Sequence, residues 1–255
     1  MNYILYSGMR GQLKKGVEKA PEIIKPYIKT NKIYTSNQGN SLYKDLYNLY
    51  KINNKVRGRR INIGGDHSMS IATVADSLNK IHNLKVLWFD AHADINTSYS
   101  SHTNNIHGMP LGFLTGLDNI NYFPFIKNTL KFKNILYIGI RDLDDFELEI
   151  IDKCNISFIT TNEVNDDPYL TSLKIKQFIG DDSFHLSFDV DCMDPSIISS
   201  TGTPVENGLL LEPTKIILDK LVSTKTMINM DITELNFKLG DKEKSLKNTL
   251  KLFNI

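Results

Sequence analysis

Three short clusters carry residue types that do chemistry together: Gly64-Gly65-Asp66-His67-Ser68, Asp90-Ala91-His92-Ala93-Asp94 and Asp189-Val190-Asp191. In an extended segment alternate side chains point the same way, so Asp90, His92 and Asp94 are expected to converge, as are Asp189 and Asp191. Unpaired and buried, such charges would each cost several kcal/mol. They call for cations. Asp90, Asp94, Asp189 and Asp191 carry four negative charges, which two divalent ions would neutralise, with His67 and His92 completing the shells. Two metals ~3.5 Å apart that share a water make hydroxide available near neutral pH. Hard oxygens, two imidazoles and no thiolate favour Mn²⁺, with Zn²⁺, Co²⁺ and Ni²⁺ able to compete. A lone DxHxD also suits a solvated loop. Three such clusters, each after an apolar run, argue for a metal centre.

Positioning these groups needs strands that end together. Strands are expected over residues 3–6, 60–63, 85–89, 134–140, 157–160, 184–188 and 226–230. Helices are expected over 16–28, 41–51, 70–81, 108–114, 145–153, 169–179, 212–222 and 243–253. The strand runs are apolar without alternation, which predicts a mostly parallel sheet covered on both faces, a three-layer α/β sandwich. Ligands in such sheets gather beyond the carboxyl ends of the strands. Asp90, Arg141, Asp189 and Asp231 are each expected at such an end, with Arg141 and Asp231 in structural roles.

The 255 residues suffice for one domain over 1–255, with no linker, repeat or low-complexity tract. A formal net charge of +1 gives no basis for binding nucleic acid or an anionic membrane. No apolar run approaches membrane-spanning length. Two separated cysteines, Cys154 and Cys192, suit a reducing compartment. The apolar start is too short and lacks the basic flank of a secretory leader, so a cytoplasmic location is expected.

GGDHS at 64–68, DAHADIN at 90–96, HG at 107–108, SFDVDCMDP at 187–195 and TGTP at 201–204 stand together in one chain. With them the chain resembles the ureohydrolase family, and its arginase branch most, over nearly its full length. The resemblance implies a parallel α/β sandwich, two Mn²⁺ per chain, and hydrolysis of a guanidino or related C–N bond. Carried over by motif, one ion would be held by His67, Asp90, Asp94 and Asp189. The other would be held by Asp90, His92, Asp189 and Asp191, with Asp90 and Asp189 bridging. Asp94 would also orient the bridging hydroxide. Asn96, Thr103 and Asn105 match the donors that bind a substrate α-carboxylate. Asp144 and Glu147 match the acids that take the α-amino group. Glu234 matches the acid that pairs with the guanidinium, and Thr203 a threonine in the same pocket. A carboxylate meets a planar guanidinium with paired hydrogen bonds. His107, an imidazole free of metal duty, is expected to shuttle the proton needed by the amine leaving group. The implied reaction is hydrolysis of L-arginine to L-ornithine and urea by a metal-bridging hydroxide.

Agmatinase, formimidoylglutamase or another guanidino-substrate ureohydrolase would use the same metal centre, but agmatine would leave Asn96, Thr103 and Asn105 without an α-carboxylate. A non-catalytic family member would keep the fold, and the complete ligand set argues against it. A one-zinc deacetylase on a related fold would not need six ligands. The family's homo-oligomers imply a trimer or hexamer, with contacts from the body because the chain stops soon after its last helix. Asn104 stands where arginases commonly have Gly. Trp88, His185 and Cys192 are expected to pack in the core, and Asp66 to act as a partner behind His67.

Overall fold

Strands that are apolar on both faces must be covered on both, and the computed structural model, which describes residues 1–255, has that arrangement. The strands are β1 (Asn2–Leu5), β2 (Ile33–Thr35), β3 (Arg60–Ile63), β4 (Lys85–Phe89), β5 (Ile135–Ile138), β6 (Ser157–Ile159), β7 (Phe184–Asp189) and β8 (Met227–Thr233). The helices are α1 (Ala20–Ile24), α2 (Leu42–Lys55), α3 (Met69–Lys80), α4 (Pro110–Thr115), α5 (Asp145–Lys153), α6 (Thr161–Asp166), α7 (Pro168–Ile179), α8 (Leu211–Ser223) and α9 (Lys242–Phe253). All eight strands run parallel in one sheet, in the order β2-β1-β3-β8-β7-β4-β5-β6.

Each face has its own core. Leu87 and Phe89 of β4, with Leu186 and Phe188 of β7, pack towards Ile175 of α7, Ile217 of α8 and Leu252 of α9. Val86 and Trp88 of β4 point the other way, towards Leu46 of α2, Val74 of α3 and Leu111 of α4. The expected three-layer sandwich is observed. Register brings the site together: Phe89 pairs with Phe188, Asp189 with Thr233, and Ile63 with Ile232. Residues 64–68, 90–94, 189–191 and 234 therefore emerge at one edge of the sheet.

Three expectations need correction. The stretch 16–28 is not one helix but a 3₁₀ turn (Val17–Lys19), α1, and a second 3₁₀ turn (Lys25–Tyr27). Pro21 and Pro26 lack the N–H that a continuing helix needs. Asp231 is not at a strand end. Strand β8 is laddered on both sides and runs on to Thr233, so Asp231 lies within it, wholly buried. Strand β5 stops at Ile138, short of Ile140, because Gly139 turns away with φ 93°. Two short elements carried too few residues to show a period: β2 at the sheet edge and α6, opened by a capping box between Thr160 and Glu163. No helix is long and apolar enough to cross a membrane.

Candidate metal centre

The turn between β3 and α3 delivers His67. Gly65 is needed there, since a Cβ would lie 1.6 Å from the Gly8 carbonyl oxygen. Asp90 follows β4 directly, and Asp189 is the last residue of β7. The acids do not converge by strand alternation as expected. Residues 90–94 form a loop in which Asp94 takes φ 49°, and Asp191 sits in a 3₁₀ turn (Val190–Cys192). The same local device recurs. Asp90 Oδ1 accepts from the His92 N–H at 2.8 Å, and Asp189 Oδ1 from the Asp191 N–H at 2.9 Å. Each aspartate thus folds its own turn while its other oxygen faces inward.

Around His67 Nδ1 stand oxygens of Asp94 at 2.9 Å, Asp90 at 3.0 Å and Asp189 at 3.1 Å. None lies in line for a hydrogen bond, and the buried Nδ1 is without a partner. His92 Nδ1 is 3.2 Å from Asp191 Oδ2 and 3.4 Å from Asp90 Oδ1. His67, Asp90 and Asp189 form one group able to hold a metal ion, and Asp90, His92 and Asp191 another. Asp90 is common to both, and Asp94 stands beside the first. An orphaned imidazole nitrogen among three carboxylate oxygens fits a divalent cation better than a proton, because one proton cannot serve three acceptors.

The electrostatics carry the strain of crowded acids. Burial, then the Asp191 and Asp90 charges, push Asp189 well above the usual carboxylate range. Burial and the Asp90 charge push Asp94 up to about 6. Burial works against ionised Asp90 too, but His67 and His92 hold it below its ordinary value. Both imidazoles lose by burial and gain more from the acids, so both are raised.

The cluster opens into a cavity of about 240 Å³. Asp94, Asp142, Asp144, Glu147, Asp189 and Asp191 line it with His92, His107, Asn96, Gly108 and Thr203, and no hydrophobic side chain does. A larger groove of about 700 Å³ runs between β2 and α2 but contains no acid or imidazole. Asn96 Nδ2 donates to Asp144 at 2.7 Å, and Thr203 Oγ1 to Asp191 at 2.8 Å. Asp144 and Glu147 also form the capping box that starts α5. Burial, then the Asp94 and Asp144 charges, push Glu147 up to about 8. Thr103 and Asn105 lie on the nearby loop but do not line the cavity. Asn104 between them takes φ 56°, so the left-handed turn that suits Gly is kept by Asn.

Glu234 lies behind the cavity wall, 2% exposed and at φ 64°. Both its oxygens are engaged: Oε1 by the His67 N–H at 2.8 Å and His107 Nδ1 at 3.0 Å, Oε2 by Gln12 Nε2 at 2.6 Å. Burial lowers the His107 pKa, but the Glu234 carboxylate outweighs this and raises it to about 9.

Several contributors escaped sequence reasoning. Trp88 is core, as expected, but its Nε1–H also donates to Asp90 Oδ2 at 3.0 Å and its ring stacks on His67 at 4.3 Å. A tryptophan directly before the acid was the available signal. Asp142 Oδ2 lies 3.4 Å from His92 Nε2. Ser187 meets His67 Nε2 at 2.8 Å, and its only mark was polarity in an apolar strand. Gln12 had no local signal. Asp66, expected as a partner behind His67, instead accepts the Gly11 and Ser68 N–H groups, and Ser187 takes the place behind the ring. Arg141 binds backbone carbonyls of Gly139, Asp191, Cys192, Val205 and Glu206, a structural tie. His185 and Cys192 are buried.

A sequence model described as the arginase family matches residues 26–253. The chain belongs to the arginase family. It is 32% identical to Staphylococcus aureus arginase over 253 residues, 91% of this chain and 82% of that protein. Neurospora crassa arginase is 37% identical over 188 residues, 69% of this chain and 52% of that protein. The chain thus spans little more than half the length of several curated relatives it matches. Among solved structures, Entamoeba histolytica arginase in complex with L-ornithine superposes with a TM-score of 0.92 at 31% identity, over 98% of this chain and 96% of that one.

Proposed function

We propose that the chain is a binuclear-metal hydrolase that converts L-arginine to L-ornithine and urea. One observation carries the reading. Two His–carboxylate groups that share Asp90 open into a cavity lined by six carboxylates and no hydrophobic side chain. Such a lining favours a cationic guanidino compound over an anionic or apolar one. His67, Asp90, Asp94 and Asp189 would hold one ion, and Asp90, His92, Asp189 and Asp191 the other, with Mn²⁺ the metal these hard donors suit. When bound, two such ions acidify a shared water, so that hydroxide is available near neutral pH.

The chain's own groups do the rest. Asp144 and Glu147 take the substrate α-amino group, whose positive charge draws Glu147 towards its ionised form. Asn96, Thr103 and Asn105 receive the α-carboxylate, and Thr203 lines the guanidinium end. Asp94 orients the attacking oxygen. His107 holds a proton up to about pH 9 while Glu234 steadies it, and gives that proton to the departing amine. The family relationship and the L-ornithine complex of the Entamoeba relative support this substrate. A single domain over 1–255, a trimer or hexamer, and a reducing, cytoplasmic setting for free Cys154 and Cys192 complete the proposal.

A second reading draws on one observation. Thr103 and Asn105 stand outside the cavity lining, as they would for agmatine, which has no α-carboxylate. Urea release from L-arginine and agmatine after Mn²⁺ loading separates the two. A larger kcat/KM for agmatine would overturn the first reading.

A further inference from the structure

A chain of buried groups runs from the back of His67 to the middle of the sheet. His67 Nε2 is 2.8 Å from Ser187 Oγ, Ser187 Oγ is 3.1 Å from Ser70 Oγ, and Ser70 Oγ is 2.9 Å from Asp231 Oδ2. All four residues are at most 1% exposed. Neither serine hydroxyl has any other hydrogen-bond partner. Each hydroxyl has one proton to give, and a carboxylate only accepts, so the direction of the whole chain follows from its far end.

Asp231 is held as an anion. It also receives the Thr73 hydroxyl, the Asn62 amide at 2.7 Å and the His185 ring nitrogen at 3.0 Å. Burial opposes its charge, but His185, Thr73 and Ser70 hold its pKa below the ordinary value. Ser70 must therefore donate to Asp231. Its oxygen is then left to accept from Ser187, and the Ser187 oxygen to accept from His67. The proton belongs on Nε2, which leaves the Nδ1 lone pair towards Asp90, Asp94 and Asp189.

We propose that Asp231 and Ser70 are positioning residues that, through Ser187, fix which nitrogen of His67 faces the carboxylates and so set the affinity of the ion on the His67 side. This rests on the metal centre proposed above. Without Ser70, the Ser187 proton has only His67 Nε2 to face. That contact favours the other tautomer, which puts a hydrogen where the ion should bind. Asp90, His92 and Asp191 lie off this chain, so the second ion should be spared.

Ser70→Ala removes one hydroxyl and leaves Asp231 its other three donors. Chelated protein titrated with Zn²⁺ in a calorimeter should take up two ions in the wild type. In Ser70→Ala one ion should weaken roughly 10–100-fold while the other is unchanged. Ser70→Thr, which keeps a hydroxyl, should restore the wild-type isotherm, and Asp231→Asn should repeat the single-ion loss. Zinc-loaded protein is diamagnetic, so proton NMR can follow His67 Nε2–H. It should exchange slowly in the wild type and faster in Ser70→Ala. Equal weakening of both ions would show general loosening and overturn the proposal. Unchanged affinity and exchange in Ser70→Ala would overturn it as well, while leaving the metal centre standing. A wild-type protein that binds no ion would instead refute the metal centre, and this proposal with it.

Discussion

The two imidazoles at the cluster are built differently. The His67 side chain is 1% exposed, stacked on Trp88 and hydrogen-bonded at its far nitrogen to Ser187. The His92 side chain is 24% exposed, and its far nitrogen faces Asp142, which is itself 65% exposed. One half of the centre is held by packing on every side. The other rests on groups that water can replace. Rigid support preorganises a ligand, whereas a solvated partner fixes it only loosely. An ion on the His67 side should therefore leave slowly, and one on the His92 side first.

Asp90 belongs to both halves, so its loss should be the most damaging. Asp90→Asn should weaken both ions by more than the roughly 10–100-fold that loss of an outer partner costs. Calorimetry that still finds one tight ion would break the idea of a shared ligand. His107 comes next and is tied to the inner half through Glu234, which also accepts the His67 N–H. His107→Asn should cut kcat by roughly 10²–10⁴-fold with metal content unchanged. A variant that loses metal would make His107 part of the scaffold instead. On the outer half, Asp142→Ala should weaken only the His92-side ion, by roughly tenfold. Elemental analysis after partial chelation tests this, and loss of both ions would erase the contrast between the halves.

The inner half also predicts a pH effect on metal-free protein. The folded His107 pKa of about 9 exceeds its unfolded value near 6.5, so the folded state binds the extra proton more tightly. Its contribution should be fully present below about pH 6.5 and fade as pH rises through about 9. The Tm gap between wild type and His107→Asn should close over that window. A gap that widens above pH 9 would refute the His107–Glu234 assignment. The smallest effect should come from outside both halves. Thr160→Ala breaks the capping box of α6 and should cost about 1 kcal/mol in denaturant unfolding. Urea release should not change, and a fall in rate would show that the site depends on distant helix packing.

What was legible in the sequence follows from short-range physics. The largely apolar runs at residues 85–89 and 184–188, the second interrupted by His185 and Ser187, announced buried strands, and β4 and β7 are there. The density of acids and imidazoles after those runs announced a site that needs cations, since no packed core tolerates such a group. What stayed hidden depends on contacts across great distances in the chain. Gln12 meets Glu234 across 222 positions, and Ser70 meets Ser187 across 117. A lone serine or glutamine has no period and no spacing to betray it. Asp231 is the sharpest case. As a residue type it could have capped a strand end and faced the site. Pairing of β8 with β3 and β7 kept it inside the sheet instead, where its charge had to be met by Asn62, Ser70, Thr73 and His185. Sequence alone specified which groups the chain must neutralise, because charge and hydropathy are properties of each residue. Only the tertiary structure decided which partners neutralise them, because hydrogen-bond direction depends on where other strands and helices come to lie.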